Sequence, residues 1–110
     1  MIDWQRVTQL RTEIGEDDFF EVVELFLEEV DEIVTRLRRA PDPKLFEQDM
    51  HFLKGSALNL GFRALGKICA SYENSAAAGN VQEVKPREVV AIYESSRNEL
   101  LACFQALEAA

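Results

Sequence analysis

The chain has 110 residues, enough for one domain with a single core, and 47% of them are hydrophobic and 29% charged. Its formal net charge of −8 repels nucleic acid and anionic lipid surfaces, so neither is expected as a partner. No stretch approaches the ~20 apolar residues of a membrane span. Asp3 and Arg6 interrupt the start of the chain, so we expect no signal peptide and a cytoplasmic location.

Helices are predicted over residues 3–14 and 17–39. Asp3 is a suitable N-cap for the first helix and Gly15 suits its C-terminal end. Both helices have apolar residues at steps of three and four, which is typical of a buried helical face. The predicted buried residues are Trp4, Val7, Leu10 and Ile14, then Phe19, Val23, Phe26, Val30, Ile33 and Leu37, with Phe20, Leu27 and Val34 widening the second stripe. The last turn of the second helix carries Arg36, Arg38 and Arg39, which we interpret as a charge cluster suited to the helix dipole.

Three more helices are predicted over residues 43–60, 62–78 and 86–108. Asp42-Pro43 is a strong helix-start signal, while Gly61 and Gly79 mark helix ends. The predicted buried residues are Phe46, Met50, Leu53, Ala57 and Leu60; then Leu65, Ile68, Cys69, Tyr72 and Ala76; and finally Val89, Ile92, Tyr93, Ser96, Leu100, Cys103 and Leu107. Both cysteines, Cys69 and Cys103, fall on these stripes without metal or redox spacing, so we expect buried, reduced thiols.

The short loops between these helices make neighbouring helices antiparallel. The sequence therefore predicts an all-α protein, an antiparallel up-down four-helix bundle with a short additional N-terminal helix. We expect one domain over residues 1–110, with Phe26, Val30, Leu53, Ile68 and Leu100 in one core.

The single histidine, His51, lies on the third predicted helix. At 100° per residue it points roughly 140° away from the core stripe of that helix, toward solvent. Lys54 follows one turn later, Gly55 lies beside the histidine at i+4, and Leu58 also faces outward. Residues 1–40 carry 11 Asp/Glu against 5 Arg, whereas residues 41–67 have three acids against four Lys/Arg. An anionic group is therefore tolerated best in the region of His51.

These residue types suit phosphoryl chemistry. A neutral imidazole has one unprotonated nitrogen near pH 7 and can act as a nucleophile. Lys54 offers a positive charge to an attached phosphoryl group. Glycine in a helix interior costs about 1 kcal/mol relative to alanine, and close approach of another protein is one explanation for an outward-facing Gly55.

The run His51-Phe52-Leu53-Lys54-Gly55-Ser56-Ala57, continued by Leu60-Gly61, resembles the signature of histidine-containing phosphotransfer (HPt) domains. These domains are four-helix bundles that relay phosphoryl groups in multistep two-component signalling. The resemblance also covers helix count, helix order and chain length.

The resemblance implies that His51 is phosphorylated on Nε2, that Lys54 holds the phosphoryl group and that Gly55 leaves room for a partner, with Leu58 beside it. Glu73 matches the position of a polar residue that orients the imidazole in family members. The implied partners are receiver domains and a hybrid or sensor histidine kinase. The implied protein is a monomeric phosphoryl carrier without an ATP site or cofactor, and any Mg²⁺ is expected on the receiver.

Other readings of the same sequence remain open. The phosphoacceptor domain of a chemotaxis-type kinase shares the motif, but that kinase needs an ATP site in further domains, and a non-catalytic helical adaptor would leave His51 incidental. A dimerising histidine-kinase domain is disfavoured because its histidine is typically followed by an acidic residue and a proline. A di-metal oxidase needs Glu-x-x-His pairs, which one histidine does not supply.

Overall fold

Five α-helices follow one another in the computed structural model, which describes residues 1–109 and side chains as far as residue 106. They are α1 (Trp4–Ile14), α2 (Glu16–Arg39), α3 (Phe46–Leu60), α4 (Arg63–Ala77) and α5 (Pro86–Ala109). Contacts link α2 to α3, α3 to α4, α4 to α5 and α5 back to α2, while α1 packs on α2 and α3. The predicted all-α helical bundle is confirmed.

The helix ends follow from local capping. Asp3 caps α1 by accepting a hydrogen bond from the Arg6 amide, and Gly15 takes a φ of 95° where α1 gives way to α2. Asp42 accepts from the Lys44 amide at 3.0 Å. This contact opens a 3₁₀ turn over Pro43–Leu45, so the α-helix proper begins at Phe46, three residues later than predicted. Gly61, with a φ of 76°, ends α3 in the left-handed conformation.

The core agrees best with the sequence along α3. All five predicted residues of this helix are buried: Phe46, Met50, Leu53, Ala57 and Leu60. Large buried side chains from the other helices complete the core, among them Val30, Leu65, Tyr93 and Leu100. The register of α3 is thereby fixed, and with it the direction in which His51 points.

For the other helices, some residues that the sequence predicts to be buried are not fully buried. Phe26 and Ile33 are only partly buried, because the centre of the α2 stripe follows Leu27 and Val34 instead. Ile68 is also only partly buried, since the inward face of α4 is centred on Leu65 and Cys69. Trp4, the first residue of α1, is exposed. The remaining predicted core residues that are only partly buried are Ile14, Phe20, Tyr72, Ala76, Ile92 and Cys103. Leu107 lies outside the described side chains.

Backbone hydrogen bonds hold the N-terminal residues against the turn between α3 and α4. Ile2 and Phe62 form an isolated antiparallel bridge, and the Asp3 amide donates to the Gly61 carbonyl at 2.7 Å. A side chain at Gly61 would place its Cβ 2.7 Å from the Asp3 carbonyl oxygen, so only glycine fits this approach. The contact holds α1 beside the turn that ends α3.

An ion pair ties α2 to α3 next to His51. Asp49, which is 1% exposed, accepts two parallel hydrogen bonds from the Arg36 guanidinium at 2.7 and 2.8 Å. The hydrogen bond from Arg36 raises the pKa of its guanidinium. Arg36 therefore belongs to a specific interhelical pair, and Arg38 likewise contacts Glu94 on α5. The interpretation of these arginines as a helix-end cluster missed both partners.

Candidate functional site

His51 is exposed on the outer face of α3. Its side chain is 71% exposed, in agreement with the wheel direction set by the buried α3 residues. The ring Nδ1 lies 2.7 Å from Oε2 of Glu73, which α4 brings alongside. One ring nitrogen therefore has a protein partner, and the other, Nε2, faces away from it.

Glu73 contacts two of the predicted site residues at once. Its Oε1 accepts a hydrogen bond from Nζ of Lys54 at 2.5 Å, while its Oε2 contacts His51. The Glu73 side chain is 19% exposed, less than either Lys54 or His51. The structure thus brings His51, Lys54 and Glu73 together in one cluster across the α3–α4 interface.

The charge state of Glu73 follows from these contacts. The hydrogen bond from Lys54, and next the one from His51, lower the pKa of the Glu73 carboxyl. An ionised carboxylate can only accept a hydrogen bond, so Nδ1 must donate to it. The neutral imidazole then carries its proton on Nδ1 and leaves a lone pair on Nε2. This arrangement suits a nucleophile at Nε2.

Gly55 and Leu58 lie on the same outward side of α3. A Cβ built on Gly55 would meet nothing within 4 Å, and Leu58 is 61% exposed. Leu58 borders a groove between α3 and α4 whose floor is mainly apolar. The groove is lined by Asp3, Lys54, Ala57, Leu58, Gly61, Arg63, Gly66, Lys67 and Ala70. Lys54 belongs both to this groove and to the histidine cluster, so the two surfaces are continuous.

Sequence reasoning missed the residues on the other side of His51. A second cleft is lined by Lys44, Glu47, Gln48, His51 and Glu73. Glu47 and Gln48 precede His51 by four and three residues, the spacing that places side chains on one helix face, and Lys44 lies in the 3₁₀ turn just before α3. That spacing is readable from the sequence and is the signal that could have found Glu47 and Gln48.

Neither a metal cluster nor a membrane span is seen in the part of the chain that the structure describes. No group of three or more His, Cys, Asp and Glu side chains there could hold a metal ion. No described helix is both long enough and apolar enough to cross a bilayer.

Of the two thiols, Cys69 is buried, and burial raises its pKa to about 12, whereas Cys103 is half-buried, contrary to expectation.

The sequence model of the Hpt domain family matches residues 21–110. The match covers most of the chain and includes the His51 cluster, and the fold is the helical bundle expected of the family. The chain belongs to the Hpt domain family. No curated protein and no solved structure shows a significant match. Membership implies phosphotransfer in two-component signalling, in which Hpt domains carry phosphoryl groups without an ATP site of their own and interact with receiver domains and histidine kinases.

Proposed function

We propose that this protein relays a phosphoryl group through phospho-His51, between the aspartates of receiver domains or from a sensor kinase to a receiver. The observation that carries the proposal is the geometry of the ring. His51 is 71% exposed, yet its Nδ1 is held 2.7 Å from the Glu73 carboxylate. The ring is therefore fixed in orientation while Nε2 stays open to a partner.

The transfer step needs only groups that the two proteins supply. The Nε2 lone pair attacks the phosphorus of a receiver aspartyl phosphate, the N–P bond forms, and the P–O bond breaks to return the aspartate carboxylate. Positive charge develops on the ring, and the Glu73 carboxylate at Nδ1–H stabilises it. Transfer onward to a second receiver is the same step in reverse. We assign the Mg²⁺ of the reaction to the receiver and no cofactor to this chain.

Lys54 supports the phosphorylated state in this proposal. Its Nζ is bound to Glu73 Oε1, one helical turn from His51. A lysine has three donors on a flexible stem, so Nζ can keep one hydrogen bond to Glu73 while directing another toward a phosphoryl oxygen. Its positive charge offsets part of the charge that the phosphoryl group brings.

Partner docking is assigned to the surface around Gly55 and Leu58. A receiver must bring its aspartate within bonding distance of Nε2, and the open space over Gly55 allows that approach. Exposed Leu58 offers an apolar contact in the adjoining groove, where Lys67 supplies positive charge and Arg63 is paired with Asp3 at 3.4 Å. This charge contrasts with the net −8 of the whole chain and favours an acidic rim on the partner.

A transfer assay tests the proposed function. Receivers phosphorylated with labelled phosphate are mixed with the wild-type protein and with His51→Gln, which should fold normally because the side chain is exposed. We expect acid-labile, alkali-stable label on the wild-type protein only. Undiminished labelling of His51→Gln would overturn the assignment. Receiver binding without any labelling would favour the adaptor, and labelling by a kinase ATP-binding domain alone would favour the chemotaxis-type phosphoacceptor domain.

A further inference from the structure

The cleft on the N-terminal side of His51 offers a cation and an amide donor to a phosphoryl group. Lys44 is the cation, Gln48 carries the amide donor, and Glu47 adds a negative charge. All three side chains are exposed. None of them belongs to the cluster of His51, Lys54 and Glu73 described above. The Glu73 carboxylate, which is paired with Lys54, also lines the cleft.

Helix geometry places the ring of His51 over this cleft. The Cα–Cβ bonds of an α-helix tilt toward its N-terminus, so a side chain covers the turn that precedes its own Cα. For His51 that turn contains Glu47 and Gln48. Lys54, by the same rule, leans back toward His51, which agrees with its contact to Glu73.

Because Lys54 is already paired with Glu73, a second cation could help to stabilise the phosphoryl group. Lys54 Nζ is shared with the Glu73 carboxylate, which also binds His51 Nδ1. The Glu73 carboxylate offsets part of the positive charge that Lys54 offers to a dianionic phosphoryl group, so a further cation and a neutral donor nearby would add to the stabilisation. Lys44 has no hydrogen-bonded side-chain partner among the described residues.

We propose that the phosphoryl group on His51 Nε2 lies over this N-terminal cleft, where Lys44 and Gln48 contact it and Glu47 opposes it. The inference rests on the proposed function and adds three residues to its site. Lys44 and Gln48 stabilise the dianionic phosphoryl group, and Glu47 limits that stabilisation. Such a balance keeps the group transferable, because a tightly held phosphoryl group would not pass on to the next aspartate.

The test measures how nearby charges affect the pKa of the phosphoryl group, without any partner protein. His51 is phosphorylated chemically with phosphoramidate, and the phosphoryl pKa is read from the pH dependence of its ³¹P NMR shift above the acid-labile range. A nearby cation favours the dianion. We therefore expect Lys44→Met to raise the phosphoryl pKa and Glu47→Gln to lower it. Each shift should be about 0.2–0.7 pH units, the range of one solvent-exposed charge pair.

Matched controls separate a local effect from a general change in net charge. Lys85→Met and Glu99→Gln alter exposed residues that do not line the cleft, and they should leave the phosphoryl pKa unchanged. Gln48→Leu should move the ³¹P shift itself, because it removes a hydrogen-bond donor without changing charge. Equal shifts in the control variants, or no shift in the cleft variants, would overturn this inference alone. No ³¹P signal dependent on His51 would overturn the proposed function as well.

Discussion

Replacing Gly55 separates stability from partner docking. Gly55 lies in the interior of α3, and a Cβ there would meet nothing within 4 Å. Gly55→Ala therefore gains helix propensity without a steric cost, about 1 kcal/mol. For a domain of 110 residues, that gain raises Tm by about 4 °C. Gly55→Gln should keep most of the gain, since glutamine is also a good helix former.

The effect on transfer should have the opposite sign. A glutamine at Gly55 stands one turn from His51 and fills the space that a receiver would use. Transfer from a phosphorylated receiver should slow by about tenfold or more, which corresponds to about 1.4 kcal/mol of lost docking or transition-state energy. Thermal unfolding and rapid-quench transfer kinetics measure the two quantities, and Ser95→Gln on the exposed face of α5 serves as the control. Unchanged transfer in Gly55→Gln would refute the docking argument, and an unchanged Tm in Gly55→Ala would refute the stability argument.

Four further changes test other parts of the molecule. Lys54→Ala should slow transfer about tenfold, the lower range for a charged hydrogen bond, and less than His51→Gln does; a wild-type rate would remove Lys54 from the site. Glu73→Ala should reduce the Nδ1–H tautomer of His51 in ¹⁵N NMR spectra, with Glu73→Gln intermediate; an unchanged tautomer ratio would leave the 2.7 Å contact without an orienting role. Arg36→Ala leaves the Asp49 carboxylate buried without its ion-pair partner and should lower the free energy of unfolding by roughly 3 kcal/mol. The loss should shrink when Asp49→Asn is added, and additive losses in urea denaturation would contradict the pair. Burial raises the pKa of Cys69 from 9.0 to about 12. The contribution of the neutral thiol to the free energy of unfolding is therefore fully present below pH 9 and is lost between pH 9 and 12, by up to about 1.4 kcal/mol per pH unit. A Cys69→Ala variant with an equally steep pH dependence would exclude the thiol as the cause.

The sequence predicts best what depends on local periodicity. Met50 and Leu53 fix the inward face of α3, so the exposure of His51 follows from helix geometry alone. The stripe of α2 is broader, and the sequence predicts both Phe26 and Leu27 to be buried, whereas only Leu27 is fully buried. In a wide apolar stripe, the centre depends on which neighbouring helices pack against it, and periodicity does not contain that information.

Interhelical partners were harder to predict. The family resemblance points to Glu73, but its second contact, to Lys54, depends on how α4 lies against α3. The pair of Arg36 and Asp49 joins residues on different helices, and nothing in the local pattern marks Asp49 as buried. Both contacts are set by side-chain distances across a packed interface, which a single sequence does not state.

The hydrogen bond from Asp3 to Gly61 affects the order in which the chain folds. It closes a loop of about 58 residues, at an entropic cost of roughly 3.6 kcal/mol on a logarithmic scaling with length. The hairpin of α3 and α4, by contrast, is joined through Gly61 and Phe62 alone and forms from contacts near in sequence. The hairpin is therefore expected in the folding transition state, and α1 is expected to dock after it. Substitutions in α1 should then alter the lifetime of the folded protein, through its unfolding rate, more than the speed of folding.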